Sequence, residues 1–213
     1  MPTDGLTLGF DTSAAHCAAA LLSGERVVAA RFETMPRGQA ERLMPLIAEL
    51  LEEAGAHWGA IARIGVGIGP GNFTGVRIAV AAARGLALGV GCPAIGVSGF
   101  DALREGQGGA VLAAIDAPRG QCHIAAADAP PLTAAPEALP AELIGSDRDV
   151  VGHAAEALAA QTGGQVRLPC YPLAVAIARI AARAPLHAPR PAPLYMRAPD
   201  AAPAATPPPV LLP

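Results

Sequence analysis

The residues Gly69-Pro70-Gly71-Asn72-Phe73-Thr74-Gly75 combine the types that bind anions with the spacing of a turn between two elements. The turn follows an apolar run, 64–68, and precedes a long helical run, 76–90. Glycine allows positive φ and close approach of a ligand, and the first N–H groups of a helix attract negative charge. The pattern therefore predicts a phosphate site, although a tight turn without a ligand fits the same residues.

The two commonest phosphate loops are excluded. The chain contains no lysine, so all 15 basic side chains are arginine, whereas a Walker-type loop needs lysine after its last glycine. The spacing of Gly67, Gly69 and Gly71 places Asn72 where a dinucleotide fingerprint needs glycine. No ribose-binding acid follows at 90–92. Any phosphate contact would belong to another class of site.

A second group of polar residues, Asp11-Thr12-Ser13, ends the first apolar run. An acid followed by two hydroxyls can hold a metal-bound or water-bound phosphate, and it is equally good turn chemistry. A strand ending in Asp-Thr, a hairpin, a helix and a second strand ending in a glycine turn are arranged as in actin-like ATPases and sugar kinases, which place two loops across a nucleotide. The residues predicted to contact such a nucleotide are Asp11, Thr12, Gly69, Gly71, Thr74 and Gly75.

Composition limits the partners. The chain has 213 residues, 52% of them hydrophobic and 15% charged, enough for one domain or two small subdomains. The net charge of −3 and the seven scattered aromatic residues offer neither a basic surface nor a stacking platform. We therefore expect weak binding of nucleic acid by the chain alone.

Cysteine usage and targeting signals point to the cytoplasm. Cys17, Cys92, Cys122 and Cys170 form no C-x-x-C pair, so we expect reduced thiols and no zinc site. The first residues show no basic and apolar leader, and the long apolar run carries arginine. We expect no membrane association.

The periodicity of apolar residues predicts an α/β chain. No internal repeat is evident in the sequence. The predicted strands are 6–10, 17–22, 27–32, 64–68, 94–97, 111–115, 122–126 and 150–151. The predicted helices are 39–54, 76–90, one entered at 98–103, one near 154–161, and 173–184. The predicted non-regular segments are a hairpin turn at 116–120, a loop at 129–140 and a proline-rich disordered tail at 198–213.

Two of these helices carry more apolar surface than one sheet covers. Helix 39–54 is apolar around much of its circumference, and Pro45 predicts either a helix that begins close to it or a kink at that residue. In helix 76–90, Arg77 and Arg84 mark an outward face that also carries Leu88. The two helices either pack on each other or form a subunit interface. The predicted interface residues are Met44, Leu51, Arg77, Ala81, Arg84, Gly85 and Leu88.

Taken together, these segments resemble the TsaB (YeaZ) family. The segments that carry the resemblance are Phe10-Asp11-Thr12-Ser13, the glycine turn with Val76-Arg77, Ile95-Gly96-Val97-Ser98, Ala114-Ile115-Asp116-Ala117 with Arg119-Gly120, and Pro193-Leu194-Tyr195-Met196-Arg197. The family usually has serine where this chain has Asn72.

The resemblance implies an actin-like, RNase H-like α/β fold (the ASKHA class) with two subdomains, the second reduced. The subdomains are predicted at 1–98 and 99–197. It further implies a non-catalytic subunit that binds and organises TsaD, with TsaE, in the bacterial synthesis of N6-threonylcarbamoyladenosine on tRNA. The chain would form a homodimer when alone, contact tRNA only through the complex, and have no cofactor of its own, with ATP or ADP bound in the complex.

The same resemblance predicts no catalytic or metal-binding residue. TsaD-like subunits carry a metal-binding histidine pair at positions that correspond here to Gly99 and Leu103. The five histidines of the chain form no i,i+4 pair. The alternative is a sugar-kinase-like phosphotransferase, for which only Asp101 or Asp116 could act as the catalytic base.

Overall fold

The computed structural model describes residues 5–185 and 187–196, and in it the chain folds into two five-stranded mixed sheets with helices packed on them. The first sheet has the order β3-β2-β1-β4-β5. Its strands are β1 (Leu6–Asp11), β2 (His16–Ser23), β3 (Arg26–Thr34), β4 (Ile61–Gly67) and β5 (Ala94–Val97). The first three strands form the predicted antiparallel meander, and β4 and β5 add to it in parallel. All six residues of β1 are buried, as expected for a central strand covered on both faces.

Two helices cover one face of this sheet and a third covers the other. Helices α1 (Gln39–Glu53) and α2 (Phe73–Val90) share a core cluster with alternate residues of β2, namely Cys17, Ala19 and Leu21. The intervening Ala18, Ala20 and Leu22 pack against α5 (Leu173–Arg183). This division follows from the two-residue period of a strand, which sends successive side chains to opposite faces.

Small residues let α5 lie close to the sheet. A Cβ at Gly9 would lie 2.4 Å from the Ala174 carbonyl oxygen, and one at Gly65 would lie 2.7 Å from the Ala181 Cβ. A larger side chain at either position would therefore force the helix away from the sheet. The helix comes from the second half of the sequence, so one face of the first sheet is covered by residues outside the predicted 1–98 subdomain.

The second sheet has the order β10-β9-β6-β7-β8. Its strands are β6 (Val111–Ala117), β7 (Gln121–Ala125), β8 (Leu132–Ala134), β9 (Asp149–Gly152) and β10 (Val166–Arg167). The short helix α3 (Gly99–Arg104) contacts β6, and α4 (Ala155–Thr162) lies between β9 and β10 in sequence. Single turns of 3-10 helix occur at Trp58–Ala60 and Pro118–Gly120.

Both sheets share one topology. Each begins with a three-strand antiparallel meander, and the first strand of that meander then pairs in parallel with a fourth strand, which pairs in parallel with a fifth. The sequence showed no internal repeat, but the structure contains one at the level of topology. Such duplicated sheets are the architecture of an actin-like fold with two subdomains.

Several element boundaries differ from the prediction. Asp116 and Ala117 continue β6, paired with Cys122 and Gln121, so the turn has three residues and the predicted hairpin turn at 116–120 is too long. The predicted loop at 129–140 contains β8. Helix α1 begins at Gln39 and contains Pro45, which is exposed within it. The tail predicted at 198–213 lies outside the described residues.

Among the described helices, only α2 is long and apolar enough to cross a membrane, judged by length and composition alone. In the structure it contacts β4 and β5 through part of its surface. Its two arginines contact other parts of the chain, as described below.

Candidate functional site

A cleft of about 480 Å³ separates the ends of the two duplicated halves. From the first half it is lined by the loop after β1 and by the glycine turn, and from the second by the end of β6 and its turn. The polar side chains that line it are those of Asp11, Ser13, His16, Asn72, Asp116 and His123. None of the described residues lining this cleft is an arginine. The described part of the cleft therefore lacks the arginine side chains that could neutralise the charge of a bound phosphate.

Asp11, the first predicted ligand-binding residue, is engaged by its own loop. Its Oδ1 atom accepts hydrogen bonds from the backbone N–H and the hydroxyl of Ser13, both at 2.8 Å, and lies 2.7 Å from His16 Nε2. Its Oδ2 atom lies against Gly67, where an added Cβ would be only 1.7 Å away. Asp11 is buried, and its Oδ1 contacts to Ser13 and His16 hold the turn between β1 and β2.

The glycine turn packs directly on that same loop. A Cβ at Gly71 would lie 2.3 Å from the Ser13 carbonyl oxygen, and one at Gly75 would lie 1.9 Å from the Thr12 carbonyl oxygen. Hydrogen bonds join the two loops: the Thr12 hydroxyl donates to the Gly75 carbonyl at 2.7 Å, and Asn72 N–H donates to the Ser13 carbonyl at 2.6 Å. The close approach that glycine permits is here the approach of another loop of the chain.

Asn72 occupies the N-terminus of α2. Its side-chain Oδ1 accepts hydrogen bonds from the backbone N–H groups of Thr74 and Gly75, both at 3.0 Å. These are two of the helix donors that an anion would otherwise use. Asparagine is as good an N-cap as the serine usual in the family, so this departure keeps the local structure.

The residues predicted to contact a nucleotide do not line one pocket. Asp11 and Gly71 line the cleft between the halves, whereas Thr74 and Gly75 line a separate pocket of about 420 Å³ beside the start of α1. Thr12 is fully buried. Gly69, at φ 92°, accepts a hydrogen bond from Gly99 N–H at 2.8 Å. Nucleotide binding by these residues stays a prediction.

The two acids considered for phosphotransfer differ in position. Asp101 accepts hydrogen bonds from the Ser98 hydroxyl at 2.6 Å and from Arg104 at 2.8 Å, which together hold the start of α3. Asp116 is exposed, lines the cleft, and lies 3.4 Å from His153 Nε2. In the described part of the chain, no three His, Cys, Asp or Glu side chains are grouped to hold a metal ion.

A second surface lies on the outward side of α2. We use the term α2 face for Phe73, Arg77, Ala81, Arg84, Gly85 and Leu88, all of which are exposed. Leu88 is 87% exposed and Phe73 is 51% exposed. A Cβ at Gly85 or Gly89 would meet nothing within 4 Å, so no neighbour within the described chain requires glycine at either position.

The two α1 residues predicted at the interface, Met44 and Leu51, differ in their exposure. Met44 is 38% exposed, whereas Leu51 is 3% exposed and belongs to the core beneath the first sheet. The prediction that Leu51 lines a subunit contact is therefore wrong. Leu51 shares the buried side of α1 with Leu43, Ile47 and Leu50, and periodicity alone could not show which part of the apolar arc faces the sheet.

Residues 191–196 return to α2, a contact that the sequence did not indicate. The Tyr195 hydroxyl accepts a hydrogen bond from Arg77 Nε at 2.9 Å, and the Pro191 carbonyl accepts one from Arg84 Nε at 2.8 Å. The Arg77 guanidinium lies 3.6 Å from the centre of the Phe73 ring, which is 5.4 Å from the Tyr195 ring. A tyrosine within a proline-rich segment was the one signal that could have pointed to this contact.

Elsewhere the charged groups mostly pair within the chain. Arg42 of α1 contacts Glu33 of β3 and Glu49 of its own helix, both at 2.6 Å, and the Glu33 contact joins β3 to α1. The hydrogen bonds from Arg42 lower the pKa values of both carboxyl groups. Burial raises the pKa of the Cys17 thiol to about 11, so this buried cysteine is a poor nucleophile.

The chain is similar in sequence to proteins of tRNA threonylcarbamoyladenosine biosynthesis. The family model of TsaD, tRNA N6-adenosine threonylcarbamoyltransferase, matches residues 33–192. The chain is 41% identical over 121 residues to the tRNA threonylcarbamoyladenosine biosynthesis protein TsaB of Escherichia coli (strain K12), a match covering 54% of this chain and 52% of that protein. The match thus spans about half the length of this curated relative.

The chain also superposes on solved protein structures over most of its length. YeaZ from Pseudomonas aeruginosa is 30% identical and superposes with a TM-score of 0.64, over 81% of this chain and 88% of that one. The (R)-2-hydroxyglutaryl-CoA dehydratase component A of Acidaminococcus fermentans is only 12% identical but superposes with a TM-score of 0.53, over 84% of this chain and 98% of that one. The latter likeness concerns the fold alone and agrees with an actin-like arrangement. The TsaB relative and the YeaZ structure, which is 30% identical and covered over 88% of its length, show that the chain belongs to the TsaB (YeaZ) family.

Proposed function

We propose that this chain is a non-catalytic subunit in the synthesis of N6-threonylcarbamoyladenosine on tRNA, and that it binds and organises a TsaD-type catalytic subunit. TsaE is the further component of the proposed complex, which would act in the cytoplasm. The name of the Escherichia coli relative supports the pathway. The geometry of the glycine turn and of the α2 face supports the role of a non-catalytic binding subunit.

The closed packing of the two loops argues against catalysis by this chain. The Thr12 hydroxyl donates to the Gly75 carbonyl, and the backbone N–H groups of Thr74 and Gly75 donate to the Asn72 side chain. The backbone N–H of Asn72 donates to the Ser13 carbonyl, so these donors are already engaged within the chain. A catalytic phosphate site would need such donors to be free for the ligand. ATP or ADP bound in the complex would therefore depend on groups supplied by the partner.

The exposed α2 face is the observation that carries the proposal. Burying a leucine side chain contributes about 1.5–3 kcal/mol, yet Leu88 is 87% exposed. A glycine within a helix costs about 0.8–1 kcal/mol relative to alanine, and neither Gly85 nor Gly89 is required by a neighbour in the described chain. Both features are explained if another helix packs closely on α2.

The experiment is a binding measurement with the TsaD-type subunit of the same organism. Leu88→Glu should weaken binding by about 100-fold or more, because a charge without a partner would be buried in the contact. Leu168→Glu is the matched control, because Leu168 is 82% exposed in the other half of the chain. Equal affinities for both variants would refute the assignment of the α2 face.

The same face would join two copies of the chain when no partner is present. Leu88→Glu should then shift the isolated protein from dimer to monomer in analytical ultracentrifugation. Added TsaD-type subunit should dissociate the wild-type homodimer. The isolated chain should bind tRNA weakly, since its net charge is −3.

One observation favours the phosphotransferase alternative. Asp11 and Asp116 line the same cleft, at the ends of corresponding strands in the two halves. Steady ATP turnover by the purified chain, retained on repurification and lost in Asp116→Asn, would support this second candidate. Its absence, together with restored tRNA modification when the chain is added to the other subunits, would support the accessory role.

A further inference from the structure

We propose that the α2 face, together with the returning segment 191–196, recognises a partner helix that presents two carboxylates, one for Arg77 and one for Arg84. This inference rests on the proposed function, because the partner is the same one. It adds the chemistry of recognition and assigns Tyr195 and the Pro191 carbonyl as groups that position the two arginines.

Each arginine is held through its Nε atom. Arg77 donates from Nε to the Tyr195 hydroxyl, and Arg84 donates from Nε to the Pro191 carbonyl. Their terminal amino groups make no contact with a carboxylate among the described residues. An arginine has five N–H donors, so four remain on each side chain.

This arrangement differs from that of most other arginines in the structure. The arginines paired with carboxylates of the chain are Arg31, Arg42, Arg104, Arg148, Arg167, Arg179 and Arg183. Arg77 and Arg84 are instead fixed by neutral acceptors, and Arg77 also lies over the Phe73 ring. Their charges are thus left for a partner, while part of the entropy cost of ordering the side chains is already met.

Helix geometry sets the spacing of the partner groups. Arg77 and Arg84 are seven residues apart, which is about 10.5 Å along a helix axis and about 20° around it. Ala81 lies between them, and Gly85 is beside them with open space. A helix with acidic residues at i and i+7 could therefore approach closely and meet both guanidinium groups.

The apolar residues on this face favour a protein over a nucleic acid. Phe73 and Leu88 are exposed near the two ends of the α2 face, so the arginines lie between apolar groups. An apolar core with charged groups fixing the register is typical of protein interfaces, whereas a phosphate backbone needs a continuous basic surface. We therefore assign a protein helix as the occupant.

The test measures affinity for the TsaD-type subunit at about 50 and 300 mM salt. The double variant Arg77→Gln, Arg84→Gln should bind about 30-fold or more weakly and should lose most of the salt dependence of the wild type. Tyr195→Phe should weaken binding several-fold, because it frees Arg77 without removing its charge. Arg77→Lys, Arg84→Lys keeps both charges but not the planar guanidinium groups, and should retain part of the affinity.

The outcomes separate this inference from the proposed function. If Leu88→Glu abolishes binding but the double glutamine variant retains both wild-type affinity and salt dependence, the carboxylate assignment is overturned and the docking surface stands. If neither variant affects binding, both are overturned. If the double variant binds the partner normally but reduces tRNA binding in a filter assay, the arginines contact nucleic acid and the inference is also overturned. Unchanged melting temperatures are required of every variant compared.

Discussion

Replacing Gly75 by alanine tests whether the glycine turn is shaped by the chain's own packing. The added Cβ would lie 1.9 Å from the Thr12 carbonyl oxygen, whereas ordinary contacts begin near 3.4 Å. The two loops must therefore separate by about 1.5 Å, the difference between these distances. That movement would also stretch the buried hydrogen bond from the Thr12 hydroxyl to the Gly75 carbonyl.

The expected loss of stability follows from these two effects. Overpacking in a well-packed region costs about 1–3 kcal/mol, and loss of the hydrogen bond costs about 1 kcal/mol more. We therefore expect Gly75→Ala to lower the free energy of unfolding by about 2–4 kcal/mol. For a chain of this size, each kcal/mol lowers the melting temperature by about 2–4 °C.

Gly89→Ala is the matched control on the same helix. Its added Cβ meets nothing within 4 Å, so the higher helix propensity of alanine should raise the free energy of unfolding by about 0.5–1 kcal/mol. Urea denaturation followed by far-UV circular dichroism measures both changes. A neutral Gly75→Ala beside a stabilising Gly89→Ala would refute the packing argument and indicate that glycine at 75 serves a ligand.

Three further predictions concern stability and reactivity. Leu51→Glu should unfold the monomer or lower its melting temperature sharply, because Leu51 lies in the core; differential scanning calorimetry checks this. The hydrogen bond from Arg42 lowers the pKa of Glu33 from its ordinary 4.5, so its stabilisation is present above that pH and is lost as pH falls through the folded-state value. Denaturation measured from about pH 6 downward should therefore show a shallower acid loss in Arg42→Gln, and an identical pH profile would contradict the assignment. Maleimide labelling at about pH 8 followed by mass spectrometry should modify exposed Cys170 while Cys17, with its pKa raised to about 11 by burial, reacts only after unfolding.

Much of the secondary structure could be predicted because its signals are local. Alternating and continuous apolar runs predicted the meander of β1 to β3, and the helical period predicted α1, α2 and α5. Strands β8 and β10 were missed because they have three and two residues, too few to show a period. The shared topology of the two sheets could not be predicted either, because it depends on parallel pairing between strands distant in sequence, β1 with β4 and β6 with β9.

Helices α1 and α2 show which features follow from local sequence and which depend on tertiary packing. The sequence by itself determined that Arg77, Arg84 and Leu88 share one side of α2, since helical spacing alone places them there. It also determined the turn that joins β4 to α2. Only the tertiary structure decided that Leu51 is buried while Met44 is exposed, because the orientation of α1 depends on the sheet beneath it.

The same distinction applies to the glycine turn and to the returning segment. Glycine at 75 is explained by the Thr12 loop, 63 residues away in sequence, and the position of Arg77 is explained by Tyr195, 118 residues away. Residue types and spacing indicate which interactions a turn or a side chain can make. Contacts between distant segments decide which of those capacities is already used within the fold and which is left for a partner.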